Sequence, residues 1–260
     1  MKVVVCVKQT PDTAATLTVV EGKAAWGDAP LVLNPWDEYA VEQALRAKEA
    51  HGGSVTALSL GPESAKEALK QALAMGCDEA ILISDPGFET ADSLVVSAAL
   101  AAAIKKIESP DIIFFGKAAV DTDTGVTGPQ VARRLGWPSL NLVAAITQLD
   151  PGAKTITVER LLEEGRQIVR SSLPAVVSVV KEINEPRYPS FMGIRKASKA
   201  VIPTWTAAEI GLQPIPAPAL TWPEVTAPAR AEQSCEFIPG DTPQQQAAGL
   251  VERMIAEKLI

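Results

Sequence analysis

Four short apolar runs constrain this chain more than any other feature. They are Lys2 to Lys8 (KVVVCVK), Ser54 to Leu60 (SVTALSL), Glu79 to Ile83 (EAILI) and Ile112 to Phe115 (IIFF). Each is largely continuous, and such a strand is covered on both faces, as in a parallel sheet. Helical stretches separate them. One opens at Asn34-Pro35-Trp36-Asp37, with Asn34 as N-cap, Pro35 at N1 and Asp37 at N3, and runs to about Ala50 before Gly52 and Gly53. A second starts at Gly61-Pro62-Glu63-Ser64 and ends at Met75-Gly76. A third, capped by Asp92, closes on Lys105 and Lys106, which suit the negative end of a helix dipole. Strands alternating with helices predict an α/β fold built on a doubly wound, mainly parallel sheet.

The fourth run leads into the most informative segment, Asp111 to Pro138. After Phe115 comes a loop carrying Gly116, Gly125 and Gly128 with Asp121 and Asp123, and then a helix that Gly136 and Pro138 stop. Thr127 and Gln130 have the spacing of a capping box, with Pro129 in the first turn. About a dozen residues is long for a strand-to-helix connection, which usually takes ~2–6. Strand, glycine loop and helix start together turn backbone N–H groups toward an anion. The loop therefore reads as a cradle for a nucleotide phosphate, although neither GxGxxG nor GxxxxGK[ST] is present. In a wound sheet ligands sit beyond the carboxyl ends of the strands. That rule gathers Cys6 to Lys8, Leu60 and Gly116 onward at one crevice, with the helix start at Asn34 facing it.

Composition removes other classes. A net charge of −7 leaves no basic surplus for nucleic acid. The three cysteines, Cys6, Cys77 and Cys235, are far apart and fit no metal pattern, and an odd count suits a reducing compartment. The single histidine, His51, sits at a helix end, so zinc sites, serine–histidine triads and histidine bases are not expected. The apolar start ends at Lys8, too short for a signal peptide, and the longest apolar run, Leu94 to Ile104, is too short to span a bilayer. These features place the protein in the cytoplasm or an organelle matrix, without membrane insertion.

The remaining chain changes texture. Thr16 to Trp26 suggests a hairpin around Glu21-Gly22-Lys23. Leu140 to Leu149, Thr155 to Leu161 and Arg166 to Ser171 alternate like an antiparallel addition, and Leu173 to Val180 reads as a further buried strand. Asn184 to Pro189 is a proline-rich turn that delivers Phe191, Met192 and Ile194 beside Gly193, followed by Arg195, Lys196 and Lys199. From Pro203 prolines crowd, with Trp205, Trp222 and Phe237 among them, which predicts an extended arm around a partner subunit and a short helix from about Thr242 to Lys258.

The segments VCVKQTPDT, NPWDEYAVEQAL, LSLGP, ALAMG, GKAAVDTDTGVTGPQVARRLGWP and NEPRYPSFMGIRKASK, in this order and spacing, resemble the beta subunit of the electron-transfer flavoproteins. The resemblance covers the first two hundred residues. It implies a Rossmann-like, adenine-nucleotide-binding fold in three parts: a nucleotide-binding domain over 1–183, a partner recognition loop over 184–200, and a C-terminal arm and helix over 201–260 against an alpha subunit. It implies a heterodimer whose alpha subunit holds most of an FAD, with the flavin at the interface. It also implies a structural AMP in the beta subunit, or a second FAD in its place in the electron-bifurcating branch. By motif the nucleotide pocket takes Cys6, Asn34, Pro35, Trp36, Asp37, Leu60, Gly116, Lys117, Ala118, Ala119, Val120, Asp121, Thr122, Asp123, Thr124, Gly125, Val126 and Thr127. Asp12 and Thr13 face the partner's flavin. Tyr188, Phe191, Met192 and Ile194 form the recognition loop, with Phe191 as its apolar anchor. The implied role is an electron carrier, not a catalyst. It takes electrons from flavin dehydrogenases of the acyl-CoA dehydrogenase type, as in fatty acid oxidation, and passes them to a quinone reductase or another acceptor.

Two other classes share the topology. A stand-alone adenylating enzyme would carry a PP-loop serine-glycine motif or a histidine-containing cluster, and the chain has neither. A stress-type nucleotide sensor would not need the NEPRYPSF segment or an arm bearing tryptophans.

Overall fold

The computed structural model describes residues 1–107, 109–221, 224–227 and 235–260, so Trp222 of the expected arm lies outside the described residues. Two compact units, Met1–Val225 and Thr226–Ile260, are taken separately.

In chain order the first unit comprises β1 (Lys2–Cys6), β2 (Gln9–Pro11), β3 (Thr18–Val20), β4 (Lys23–Ala25), β5 (Leu31–Leu33), α1 (Pro35–His51), β6 (Ser54–Leu60), α2 (Lys66–Met75), β7 (Glu79–Ile83), α3 (Ser93–Lys106) and β8 (Ile112–Gly116). It continues with α4 (Thr127–Leu135), β9 (Ser139–Asp150), β10 (Thr155–Leu162), β11 (Gly165–Ser172), β12 (Ala175–Val179), α5 (Phe191–Ala197) and β13 (Thr204–Trp205). Nine strands form one sheet in the order β11-β10-β9-β12-β8-β1-β6-β7-β13. All neighbours run parallel except the two pairings of β10. The fold is thus the expected wound α/β sheet with an antiparallel addition, and the buried strand read at Leu173 to Val180 is β12, inserted between β8 and β9.

The continuous apolar runs follow from this layering. Val3 and Val5 of β1 pack on one face with Val41 and Leu45 of α1 and Leu69 of α2. Val4 and Cys6 pack on the other with Ala99 and Ile104 of α3 and Val131 of α4. The chain steps from β1 through β6 to β7 on one side, then returns to place β8 against the other flank of β1. The winding reverses between β1 and β8, which is where such sheets open a crevice.

Three local features complete the picture. The hairpin β3–β4 turns through Glu21 and Gly22, both at positive φ, as a tight two-residue turn requires. The antiparallel pair β2–β5 went unrecognised in sequence because both strands have only three residues. The stretch from Pro203, read as the start of an arm, begins inside the sheet. There β13 pairs with β7, Leu82 and Ser84 donate to the carbonyls of Pro203 and Trp205, and Ala207 and Ile210 are buried. The open edge of β7 explains this, since its unpaired N–H groups need acceptors.

The second unit contains α6 (Pro243–Ala256). Thr242 caps it, and Gln245 returns the bond to complete a capping box.

Candidate functional site

The site is built where β1 ends. The β2–β5 pair folds the chain back so that the Asn34 N–H donates to the Lys8 carbonyl at 2.9 Å, which sets the start of α1 beside the end of β1. Asn34 is the N-cap residue with Pro35 at N1, but its side chain does not cap. Its amide instead donates to the Ala118 carbonyl at 2.9 Å, and its side-chain oxygen accepts from the Val120 N–H at 3.1 Å. One turn on, Asp37 accepts from the N–H of Lys8 at 2.8 Å and of Gly116 at 3.2 Å. The first turn of α1 thereby ties the end of β1 to the end of β8 and to the loop beyond it. Burial pushes the Asp37 carboxyl up to about 7, against the opposing pull of these hydrogen bonds and of Lys8.

The loop after β8 needs glycine for two different reasons. A Cβ on Gly116 would lie 2.5 Å from an Asp37 carboxylate oxygen and 2.6 Å from the Trp36 carbonyl carbon, so only glycine permits this approach. Gly125 sits at a φ of +63°, where side chains are strained. Between them the N–H groups of Thr122 and Asp123 turn back onto the Ala119 carbonyl. Lys8 reaches across to Asp121 at 2.6 Å, and Lys117 lies over the Trp36 ring at 5.1 Å.

Helix α4 begins one residue earlier than the capping-box spacing predicts. Val126 already has helical dihedrals and is the N-cap, Thr127 is the first helical residue, and no side chain caps the turn. Gln130 turns to the Ser93 hydroxyl at 3.3 Å, so the expected reciprocal cap is not formed. The first N–H groups of a helix have no partner within it. Pro129 has no N–H and the Gln130 N–H donates to the Val126 carbonyl, so with no side-chain cap the N–H groups of Thr127 and Gly128 are left to an outside acceptor.

A cavity of about 590 Å³ opens on this edge. Among the residues singled out in sequence, Cys6, Asn34, Asp37, Leu60, Gly116, Lys117, Ala118, Ala119, Asp121, Thr122, Thr124, Gly125 and Thr127 line it. Pro35, Trp36, Val120, Asp123 and Val126 lie outside the lining and shape it through the backbone. The structure adds a wall that the sequence reading missed: Phe88, Ala91, Asp92, Ser93, Val96 and Leu100, from the approach and first turns of α3. Asp92 was read only as a cap. One of its oxygens does accept from the Val95 N–H, while the other accepts from Ala219 and Leu220, and hydrogen bonding from Val95 first and then from these two holds its carboxyl below the usual range. The signal was available, because a helix following the third strand starts on the same edge as the strand ends.

The thiol of Cys6 is buried, and burial reinforced by the Asp37 charge raises its pKa well above the usual value, so it is a wall and not a nucleophile. Among the described residues no cluster of histidine, cysteine, aspartate and glutamate could hold a metal, and no helix is long and apolar enough to cross a membrane. With the N–H groups of Gly116, Val120, Thr122 and Asp123 engaged by protein acceptors, what the mouth offers an anionic ligand is the start of α4.

Two further groups lie elsewhere. Asp12 accepts from the Ala14 N–H in a tight turn and borders a separate, shallow hollow with Trp26 and Gly27, whose lining does not include Thr13. The segment 184–197 is held on α1. Asn184 donates to the Tyr39 carbonyl and to Gln43, and the Arg187 guanidinium grips Glu42 and Glu49. Burial raises the Glu42 carboxyl, but Arg187 and Arg46 more than offset it and leave it below the ordinary range. Where a loop was expected, Ser190 caps the short helix α5. A Cβ on Gly193 would meet the Ala74 carbonyl at 2.3 Å, so glycine lets α5 rest on the end of α2. Tyr188, Phe191, Met192 and Ile194 all project away, Phe191 with 80% of its surface exposed.

The family model described as the electron transfer flavoprotein domain matches residues 26–210. The chain is 40% identical over 220 residues to protein FixA of Sinorhizobium fredii, covering 83% of this chain and 77% of that one. It is 40% identical over 211 residues to the electron transfer flavoprotein subunit beta of Clostridium acetobutylicum, covering 81% and 80%. It is 36% identical over 267 residues to the caffeyl-CoA reductase-Etf complex subunit CarD of Acetobacterium woodii, covering the whole of both.

Proposed function

The chain belongs to the electron transfer flavoprotein family, on the side of its beta subunits, and from that premise we propose that it is the nucleotide-bearing half of a heterodimeric electron carrier. Its partner is an alpha subunit that holds most of an FAD. This chain performs no bond chemistry. It holds an adenylate in the cavity between β1 and β8, completes the flavin environment near Asp12 and Thr13, and offers the face on α5 to flavin dehydrogenases of the acyl-CoA dehydrogenase type. Electrons then leave to a quinone reductase or another acceptor.

The observation that carries the reading is the uncapped start of α4 beside the 116–126 loop, at the mouth of a cavity at the winding switch. Backbone N–H groups and the positive end of a helix there suit a phosphate. FAD, when bound, supplies the redox chemistry. The residues of this chain bind, orient and exclude water.

The lead reading places AMP in the cavity. A second FAD is the alternative, and one observation favours it: the cavity lining extends from the loop to Asp92 and to Val96 and Leu100 of α3. Acid extraction of the purified heterodimer separates the two. One FAD and one AMP per heterodimer supports the first reading and two FAD the second, whereas no nucleotide beyond the partner's flavin refutes both.

A further inference from the structure

Among the described residues, three carboxyl and two amino side chains line the cavity. Its carboxylates are Asp37, Asp92 and Asp121, and its cations are Lys8 and Lys117. Backbone N–H groups satisfy two of the carboxylates, Asp37 from Lys8 and Gly116, Asp92 from Val95, Ala219 and Leu220. Asp121 instead takes a side-chain cation, with Lys8 Nζ at 2.8 and 2.6 Å from its two oxygens. The other lysine is turned onto Trp36. Both lining cations are therefore engaged by the protein.

This matters for the charge a ligand brings. A phosphomonoester carries roughly −1.5 to −2 at neutral pH. The diphosphate bridge of a dinucleotide carries two singly ionised groups, a similar total, whereas ADP and ATP carry progressively more. A helix N-terminus supplies only about half a positive charge. Polyphosphate sites add a lysine aimed at the outer phosphates. Here Lys8, which lines the cavity, is already paired with Asp121.

We propose that Asp121, by holding Lys8, limits the negative charge the cavity accepts, so that AMP or a dinucleotide enters while ADP and ATP are rejected. The proposal rests on the reading of this cavity as an adenine-nucleotide site and adds which of those nucleotides it takes. Asp121 acts here as a specificity residue. Its carboxylate repels the added phosphates and withholds the cation that would offset them.

The test uses the complex with the alpha subunit, freed of nucleotide by dialysis and titrated calorimetrically with AMP, FAD, ADP and ATP. The unchanged complex is expected to bind AMP about tenfold or more tightly than ADP. Asp121→Asn keeps the shape and frees Lys8, so the AMP-to-ADP preference should shrink about tenfold, the scale of one partly screened charge at contact distance. Adding Lys8→Gln should cancel that shift. Asp121→Ser is read in the same way and guards against a fault specific to the asparagine. An AMP-to-ADP ratio identical in the unchanged complex and in both Asp121 variants overturns the proposal while the nucleotide reading stands. Binding of neither AMP nor FAD by the unchanged complex overturns the nucleotide reading itself.

Discussion

The 116–126 loop and the 184–197 segment lean on the same helix and present opposite surfaces. The loop is fastened to the first turn of α1 by Asn34 and Asp37, and the segment is fastened further along by Tyr39, Glu42, Gln43 and Glu49. The loop is made of small and polar residues and surrounds a hollow. The segment pushes three bulky apolar side chains and a tyrosine into solvent. A small anion is recognised by converging donors, so the polar groups must face inward. A protein partner is recognised by apolar area held rigidly before contact, so the anchoring charges lie underneath and the apolar groups outside. One helix, packed on the sheet by its buried face, supplies the rigidity for both.

Substitutions on each side test this contrast. Gly116→Val should have the largest effect, about 3 kcal/mol of stability by denaturant melting together with loss of nucleotide, because the added atoms meet Asp37 and the Trp36 backbone rather than movable side chains. Arg187→Gln should cost about 2 kcal/mol, since it removes a partner from the buried Glu42, while extracted nucleotide stays unchanged. Phe191→Ala should leave stability and nucleotide content as they were and slow electron transfer from a dehydrogenase about tenfold at limiting partner concentration. Loss of nucleotide in that variant would show that the two surfaces are not independent.

A pH dependence should also be confined to the loop side. The folded-state pKa of Asp37, about 7, stands above its ordinary value of 3.8, so the folded chain holds the proton more tightly than the unfolded one. Its contribution to stability should therefore fall as pH rises from about 4 to about 7 and stay level above that. Thermal melts of the unchanged chain, compared with Asp37→Asn across this range, should show that slope in the difference. A difference independent of pH would mean that the carboxylate titrates normally.

Much of the architecture could be read from local pattern. Continuous apolar runs marked the parallel strands, and alternation marked β9 to β11. Asp92 marked the start of α3, and Thr242 that of α6. Capping was less transferable. The Thr-x-x-Gln spacing occurs at Thr127 and at Thr242, but a reciprocal cap forms only at Thr242, because at Thr127 the preceding residue is already helical and Gln130 has a neighbour in Ser93. Similarly, Asn34 has the right position for a cap, yet its side chain serves the loop instead.

The strands, the helices and the edge of the sheet at which a ligand could sit follow from local pattern, because buried strands and helix starts are written in consecutive residues. It took the packed fold to set α3 as a wall of the cavity, to bring Lys8 to Asp121 across 113 positions, and to close the edge of β7 with the chain after Pro203. Those outcomes depend on which distant groups meet. A side chain with several possible hydrogen-bond partners is assigned by the geometry of the packed fold, and residue spacing alone does not encode that choice.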